Sequence, residues 1–163
     1  MKKLLRKLLL IYETRIDFEK YWKRRMAIQN LSGGVLKKIY IILLRRQESK
    51  FNSSTGIGLG TKESPCCTFK QPAYLPHGLY GIVIARNVIF EGKVSIYQNV
   101  TISEADKTKK TFIGNNVMIG AGAIILNNSR IGNNVKIGAN AVVVQDIPDN
   151  CSAVGVPARI IKN

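Results

Sequence analysis

His77 is the only histidine of the chain, and it is the side chain best suited to proton chemistry near neutral pH. It stands in Leu75-Pro76-His77-Gly78-Leu79-Tyr80-Gly81-Ile82-Val83-Ile84. A neutral imidazole can take a proton from a hydroxyl. Proline on one side and glycine on the other make a turn able to hold the ring rigidly at a surface. One histidine also cannot supply the three imidazoles of a zinc hydratase site from one chain. Cys66, Cys67 and Cys151 offer neither metal nor disulfide chemistry. They lack C-x-x-C spacing, adjacent cysteines pair poorly, and their number is odd. They read as reduced thiols filling space. Cationic groups stand at Lys109 and Lys110 in a polar stretch, and at Arg130, Lys136, Arg159 and Lys162 toward the C-terminus. A few contacts from the C-terminal group suit the phosphates of an anionic ligand, whereas Lys109 and Lys110 are placed to meet an acceptor or to solvate a loop.

The element that must position these groups is a six-residue repeat. Ile84, Phe90, Ile96 and Ile102, then Ile113, Ile119, Ile125, Ile131, Ile137 and Val143 are spaced by six, and all are apolar. A content of 45% hydrophobic residues would place an apolar residue at only four or five of these ten positions. Four residues after each sits a small or β-branched residue: Val88, Val94, Val100, Val117, Ala123, Ser129, Val135, Ala141 and Ile147, with Asp106 the exception. Period six is neither helical nor a strand alternation. It is the signature of a parallel β-helix, in which three hexads, roughly 18 residues, close one triangular coil. The period-six residue fills the axis, its small partner shares that interior, and the Gly or Asn that follows takes the turn. Pairs at Asn115-Asn116, Asn127-Asn128 and Asn133-Asn134 fit the same corner chemistry. Residues 84–101, 113–130 and 131–148 form three coils in this register. The eleven-residue gap from Ile102 to Ile113 expels residues 103–112 as a lysine-rich loop, a place where solenoids put function.

The N-terminal third differs. Apolar or aromatic residues at Tyr12, Ile16, Tyr21, Trp22, Met26 and Ala27, and again at Val35, Leu36, Ile39, Tyr40, Leu43 and Leu44, predict two amphipathic helices. Ser32-Gly33-Gly34 separates them, with Ser32 placed as an N-cap. Packed together, they would cap the coil. Residues 1–50 hold 14 Lys and Arg against 4 acids, out of a net charge of +15 for the chain. That balance suits polyanions or an anionic membrane surface. The longest apolar runs, residues 8–12 and 39–44, fall far below the roughly 18 needed to span a bilayer. The start, Lys2-Lys3-Leu4-Leu5-Arg6-Lys7, mimics a signal peptide, but its apolar run is short and Glu13 interrupts it. The expected location is cytoplasmic, with the basic helices able to contact the inner face of a membrane. The expected organisation is a basic helical segment over 1–50, an irregular connection over 51–82, and a β-helix over 83–163 with loop 103–112 and a C-terminal tail.

Residues 77–102, the lysine loop, Ile113-Gly114-Asn115-Asn116-Val117-Met118-Ile119-Gly120-Ala121-Gly122-Ala123 and the ending Ala153-Val154-Gly155-Val156-Pro157-Ala158-Arg159 resemble the hexapeptide-repeat acetyltransferases. The likeness is greatest to the serine acetyltransferase-like branch that includes capsular polysaccharide O-acetyltransferases. It covers roughly residues 75–163, and the segment at His77 with the Gly-Val-Pro-Ala-Arg ending is its most specific part. The fold implied is mainly β: a left-handed parallel β-helix with a short α-helical N-terminal segment. The activity implied is transfer of acetyl from acetyl-CoA, as co-substrate and without a metal, to a hydroxyl within a homotrimer. His77 would be the general base for direct attack on the thioester, with hydrogen-bond donors stabilising the oxyanion. CoA would lie between neighbouring columns, with Ala121 and Ala139 along the pantetheine and Val144, Gln145 and Arg159 nearer the nucleotide.

The chain departs from the serine enzymes at defined places. They carry an Arg-His pair where this sequence has Lys109 and Lys110, and an acid where it has Pro76. The segment from His77 to Gly81 is one residue longer, and no Asp or Glu lies between Glu63 and Glu91 to orient His77. The expected acceptor is therefore a hydroxyl of a cell-surface glycan or its precursor, with serine as the alternative and a non-enzymatic β-helix scaffold as the contrasting class. Thr101 does not extend into the threonine ladder of an ice binder, and no motif supports nucleic-acid binding.

Overall fold

The structure, a computed structural model, describes residues 17–31, 34–51, 53–55, 67–103, 106, 108–126 and 128–162. The readings placed on the basic start, Tyr12, Ile16, Ser32, Gly33, Glu63 and Cys66 lie outside these residues, as do those on Glu104, Ala105, Lys107 and Asn127.

The period-six residues build a three-faced parallel β-helix, left-handed in its class. One face stacks β1 (Ser54–Thr55), β3 (Val83–Ile84), β6 (Thr101–Ile102), β9 (Ile124–Ile125) and β12 (Val142–Val143) in that order. A second stacks β2 (Thr68–Phe69), β4 (Val88–Phe90), β7 (Thr111–Ile113) and β10 (Arg130–Ile131). The third stacks β5 (Val94–Ile96), β8 (Val117–Ile119), β11 (Lys136–Ile137), β13 (Cys151–Val154) and β14 (Arg159–Lys162). All ten period-six residues and all nine small partners are buried. Ile84 pairs with Ile102, a step of 18 residues, whereas Phe90 pairs with Ile113, a step of 23. The five extra residues leave at one corner without disturbing the stack.

Corners are made by asparagine. Asn99, Asn116, Asn128, Asn134, Asn140 and Asn150 all take left-handed φ between 54° and 59°, a conformation asparagine tolerates better than other side chains. Along one edge they also bond each other. Asn116 Nδ2 donates to Asn134 Oδ1 and Asn134 Nδ2 to Asn150 Oδ1, both at 2.9 Å. One residue earlier in each turn, Asn115 and Asn133 accept from the backbone of the coil before, and Asp149 continues that column by accepting from Asn133 N at 2.7 Å. At the C-terminal end β14 folds back antiparallel on β13. That covers a strand edge that would otherwise be open to pairing.

Two helices close the other end, α1 (Phe18–Asn30) and α2 (Gly34–Ser49). Asp17 caps α1 by accepting from Lys20 N at 3.1 Å. Tyr21, Ile28, Ile41, Leu44, Phe51 and Leu79 form their shared core. Trp22 meets Phe69 edge-on at 5.1 Å, and Phe69 stacks on Phe90 at 4.2 Å, so cap and coil are continuous. The N-terminal cations are not all surface charge, however. Arg25 is fully buried and donates to the carbonyls of Thr55 and Cys67, each at 2.8 Å. Glu48, also buried, accepts from Tyr21 Oη at 2.8 Å, from Thr55 N at 3.1 Å and from Thr55 Oγ1. Lys37 Nζ closes the carbonyl of Leu31 at 2.8 Å. Each of these buried charges is hydrogen-bonded, which offsets part of the cost of taking an ion out of water.

Candidate functional site

His77 sits in the turn between Tyr74, which bridges to Ser95, and β3. Its backbone is fixed from both sides. Gly78 N donates to Leu75 O at 3.1 Å, Gly81 N to Phe51 O at 2.8 Å, and Asn99 N to Tyr80 O at 2.8 Å. Gly78 and Gly81 adopt φ of 73° and 63°. A Cβ on Gly81 would lie 2.1 Å from Asn99 Oδ1, so only glycine lets this turn rest on the coil below. Leu79 points into the helical core. The imidazole itself is exposed, with its ring 5.8 Å from that of Tyr97 and tilted by 48°. Among the described residues no side chain hydrogen-bonds His77, so no carboxylate orients it there.

Tyr97 is the neighbour that the sequence reading missed. Its signal was available: it directly follows the period-six residue Ile96, at a corner, in the coil that receives the His77 turn. Gln98 follows, and its Oε1 is buried without a hydrogen-bond partner.

From Tyr97 the same corner continues down the column. Gly122 N donates to Gln98 O at 2.9 Å, Asn140 N to Ala121 O at 2.8 Å, and Val142 N to Gly155 O at 3.0 Å. His77, Ala121 and Ala139 therefore share one edge. A Cβ on Gly122 would fall 2.3 Å from Asn140 Oδ1, which keeps successive turns in contact. Arg159 is exposed on β14, paired with Val154 near the foot of this edge.

Val144 and Gln145 lie elsewhere. They follow β12 at the next corner, the one from which the lysine loop leaves between β6 and β7. That loop is anchored: the carbonyls of Asp106 and Lys109 accept from Asn87 Nδ2 above and from Asn128 Nδ2 below. Thr108, through its hydroxyl and its N–H, donates to Asp106 and holds that carboxyl below its usual range, with Lys109 adding to the effect. Lys109 Nζ lies 4.0 Å from Asp106, and Lys110 is exposed. The C-terminal cations are not one cluster. Lys136, Arg159 and Lys162 belong to the third face, whereas Arg130 lies on the second and stacks on Phe112 at 5.4 Å. Cys67 and Cys151 are both buried, in separate turns of the coil. A shallow cleft of about 470 Å³ runs over the third face, lined by Ser95, Met118 and Lys136 with the asparagine column.

Comparison with known proteins agrees with the fold. Residues 110–145 match the family described as bacterial transferase hexapeptide (six repeats). The serine acetyltransferase of Synechococcus elongatus is 39% identical over 105 residues, covering 63% of this chain and 43% of that protein. That of Buchnera aphidicola is 48% identical over 102 residues, covering 60% and 39%. Among solved structures, serine acetyltransferase from Brucella abortus in complex with coenzyme A matches with a TM-score of 0.66 and 32% identity, over 78% of this chain and 49% of that one. The Neisseria gonorrhoeae enzyme in complex with serine gives 0.63 and 33%, over 77% and 48%. The chain thus spans less than half the length of these curated relatives. These relatives are named for serine, not for a capsular polysaccharide. Residues 110–145 thus carry the bacterial transferase hexapeptide repeat, and the chain is similar in sequence and fold to these serine acetyltransferases.

Proposed function

We propose that the chain transfers acetyl from acetyl-CoA to a hydroxyl, with His77 as general base. The observation that carries this is the placement of the chain's single imidazole, exposed on a glycine-held turn at the head of the edge that runs through Ala121 and Ala139. His77 would take the proton of the acceptor hydroxyl as its oxygen attacks the thioester carbonyl. The tetrahedral intermediate collapses by breaking the C–S bond, and the proton passes from the imidazolium to the leaving thiolate. Backbone N–H groups along the edge can donate to the oxyanion. Ala121 and Ala139 leave the edge shallow enough for an extended donor. Val144, Gln145, Lys109 and Lys110 stand on a different edge, so a single column cannot bring all these residues to one ligand. A homotrimer, in which one copy's corner meets the next copy's face, would. Arg159 then supplies charge toward the nucleotide.

Serine is the leading acceptor because the relatives with the same coil are named for it. A sugar hydroxyl is the second reading, favoured by one observation: the wall beside His77 is Tyr97, an aromatic ring, and among the described residues no carboxylate is bonded to the imidazole to read an ammonium group. Thiol release from acetyl-CoA with L-serine and with a panel of glycans tests both. Saturable turnover on serine would retire the sugar reading. His77→Ala should lower turnover by about 10²–10⁴-fold, and unchanged transfer in that variant would remove His77 as the base.

A further inference from the structure

α2 has two apolar faces, and the fold uses only one. Lys37, Ile41, Leu44 and Glu48 point inward to the cap. On the opposite side Val35, Ile39 and Ile42 are exposed at 74%, 45% and 64%, with Leu36 beside them at 50%. Spacings of four and three put the first three on one stripe. Lys38 flanks that stripe, and Arg46 and Lys50 continue it toward the C-terminal end, all exposed. No acidic residue is among the exposed residues of α2. Four large aliphatic side chains bordered only by cations is not the composition of a solvated helix face. It matches a helix lying in a bilayer interface, apolar side chains among the acyl chains and cations among anionic headgroups.

We infer that this face of α2 docks the protein on an anionic lipid bilayer. The charge of the segment decides between occupants. The exposed charged residues of α2, Lys38, Arg45 and Arg46, are all basic, so a second copy of the same face would bring like charges together, whereas a membrane rich in acidic lipid would neutralise them. The inference rests on α2 alone and is independent of the acceptor assigned to His77.

The test is co-sedimentation of the full chain with vesicles of phosphatidylglycerol in phosphatidylcholine and with vesicles of phosphatidylcholine alone. Binding should require the acidic lipid and weaken as salt is raised. Ile39→Asp with Ile42→Asp should reduce binding more than tenfold with the helical signal intact. Lys38→Gln with Arg46→Gln and Lys50→Gln should reduce it by about fivefold per charge removed, and this set decides the matter if the first variant does not fold. Failure of the wild type to bind acidic vesicles would overturn the inference, as would undiminished binding by the charge variant. A fall in the assembly's mass in Ile39→Asp/Ile42→Asp, read by sedimentation velocity, would overturn it too, since copies of the chain would then be covering the stripe.

Discussion

The coil and the helical cap solve the same problem in opposite ways. In the coil every turn presents the same small set of aliphatic residues inward, and each rung meets only its neighbours. In the cap the interior holds an arginine, a glutamate, a tyrosine and a threonine, bonded across 7 to 42 residues of sequence. Repetition makes the first core tolerant and local. The second is one network in which each member leaves the others unsatisfied if removed. His77 stands on the seam: Leu79, two residues on, belongs to the cap core, while Tyr97, facing the imidazole, belongs to the coil.

If that seam governs activity, damage to the cap should act at a distance. The largest effect is Glu48→Ala, which leaves Thr55 N without its acceptor and removes the carboxylate that Tyr21 Oη and Thr55 Oγ1 both donate to. A loss of about 3–5 kcal/mol is expected, with helical ellipticity melting ahead of the β signal and transfer falling while the coil persists. A single transition at an unshifted temperature would erase the distinction between the two cores. Ile119→Ala, deep in the coil, should cost about 2–5 kcal/mol and leave the early helical transition where it was. Tyr97→Leu sharpens the contrast from the other side. It should alter KM for the acceptor several-fold with melting unchanged, and an unchanged KM would show that the ring is mere packing.

Acid and alkali separate the regions more gently. Burial, with Glu48 close by, holds the Tyr21 phenol well above its ordinary 10.0. Its contribution is complete below that value and drains away as pH rises beyond it, so alkaline denaturation should begin in the cap. Asp149 sits on the coil, its carboxyl held below 3.8 chiefly by the N–H of Asn133. Its smaller contribution is present above that value and is lost as pH falls through the lowered one. Asp149→Asn should flatten the acid limb of the melting curve without moving the alkaline one.

The same contrast decides what could be read beforehand. Position along the coil follows from a period, so Ile84 through Val143 were legible as core, the inward partners were legible as small, and the frame shift at residues 103–112 appears as five extra residues in one rung. Even the exception at Asp106 has a cause, since that residue bonds Thr108 and Asn128 in the anchored loop. The two helices were legible from their apolar spacing. The identity of their core was not, because Arg25 and Glu48 look like surface charge until Thr55 and Cys67 arrive from far along the chain. Likewise, that Ala121 and Ala139 share an edge with His77, whereas Val144 and Gln145 do not, depends on which corner each hexad ends at. A family pattern names such residues but does not say how they divide around a single column.

The rungs of the edge below His77 also act as a ruler. Parallel strands stack at about 4.8 Å, so the three steps from Tyr80 through Asn99 and Gly122 to Asn140 mark off about 14 Å with little give. Any linear molecule laid along that edge with one end at the imidazole is metered in fixed increments. Adding one 18-residue turn between Asn99 and Gly122 would shift every lower mark by one graduation and leave the faces in phase. Chain length selectivity, in such a column, is an integer.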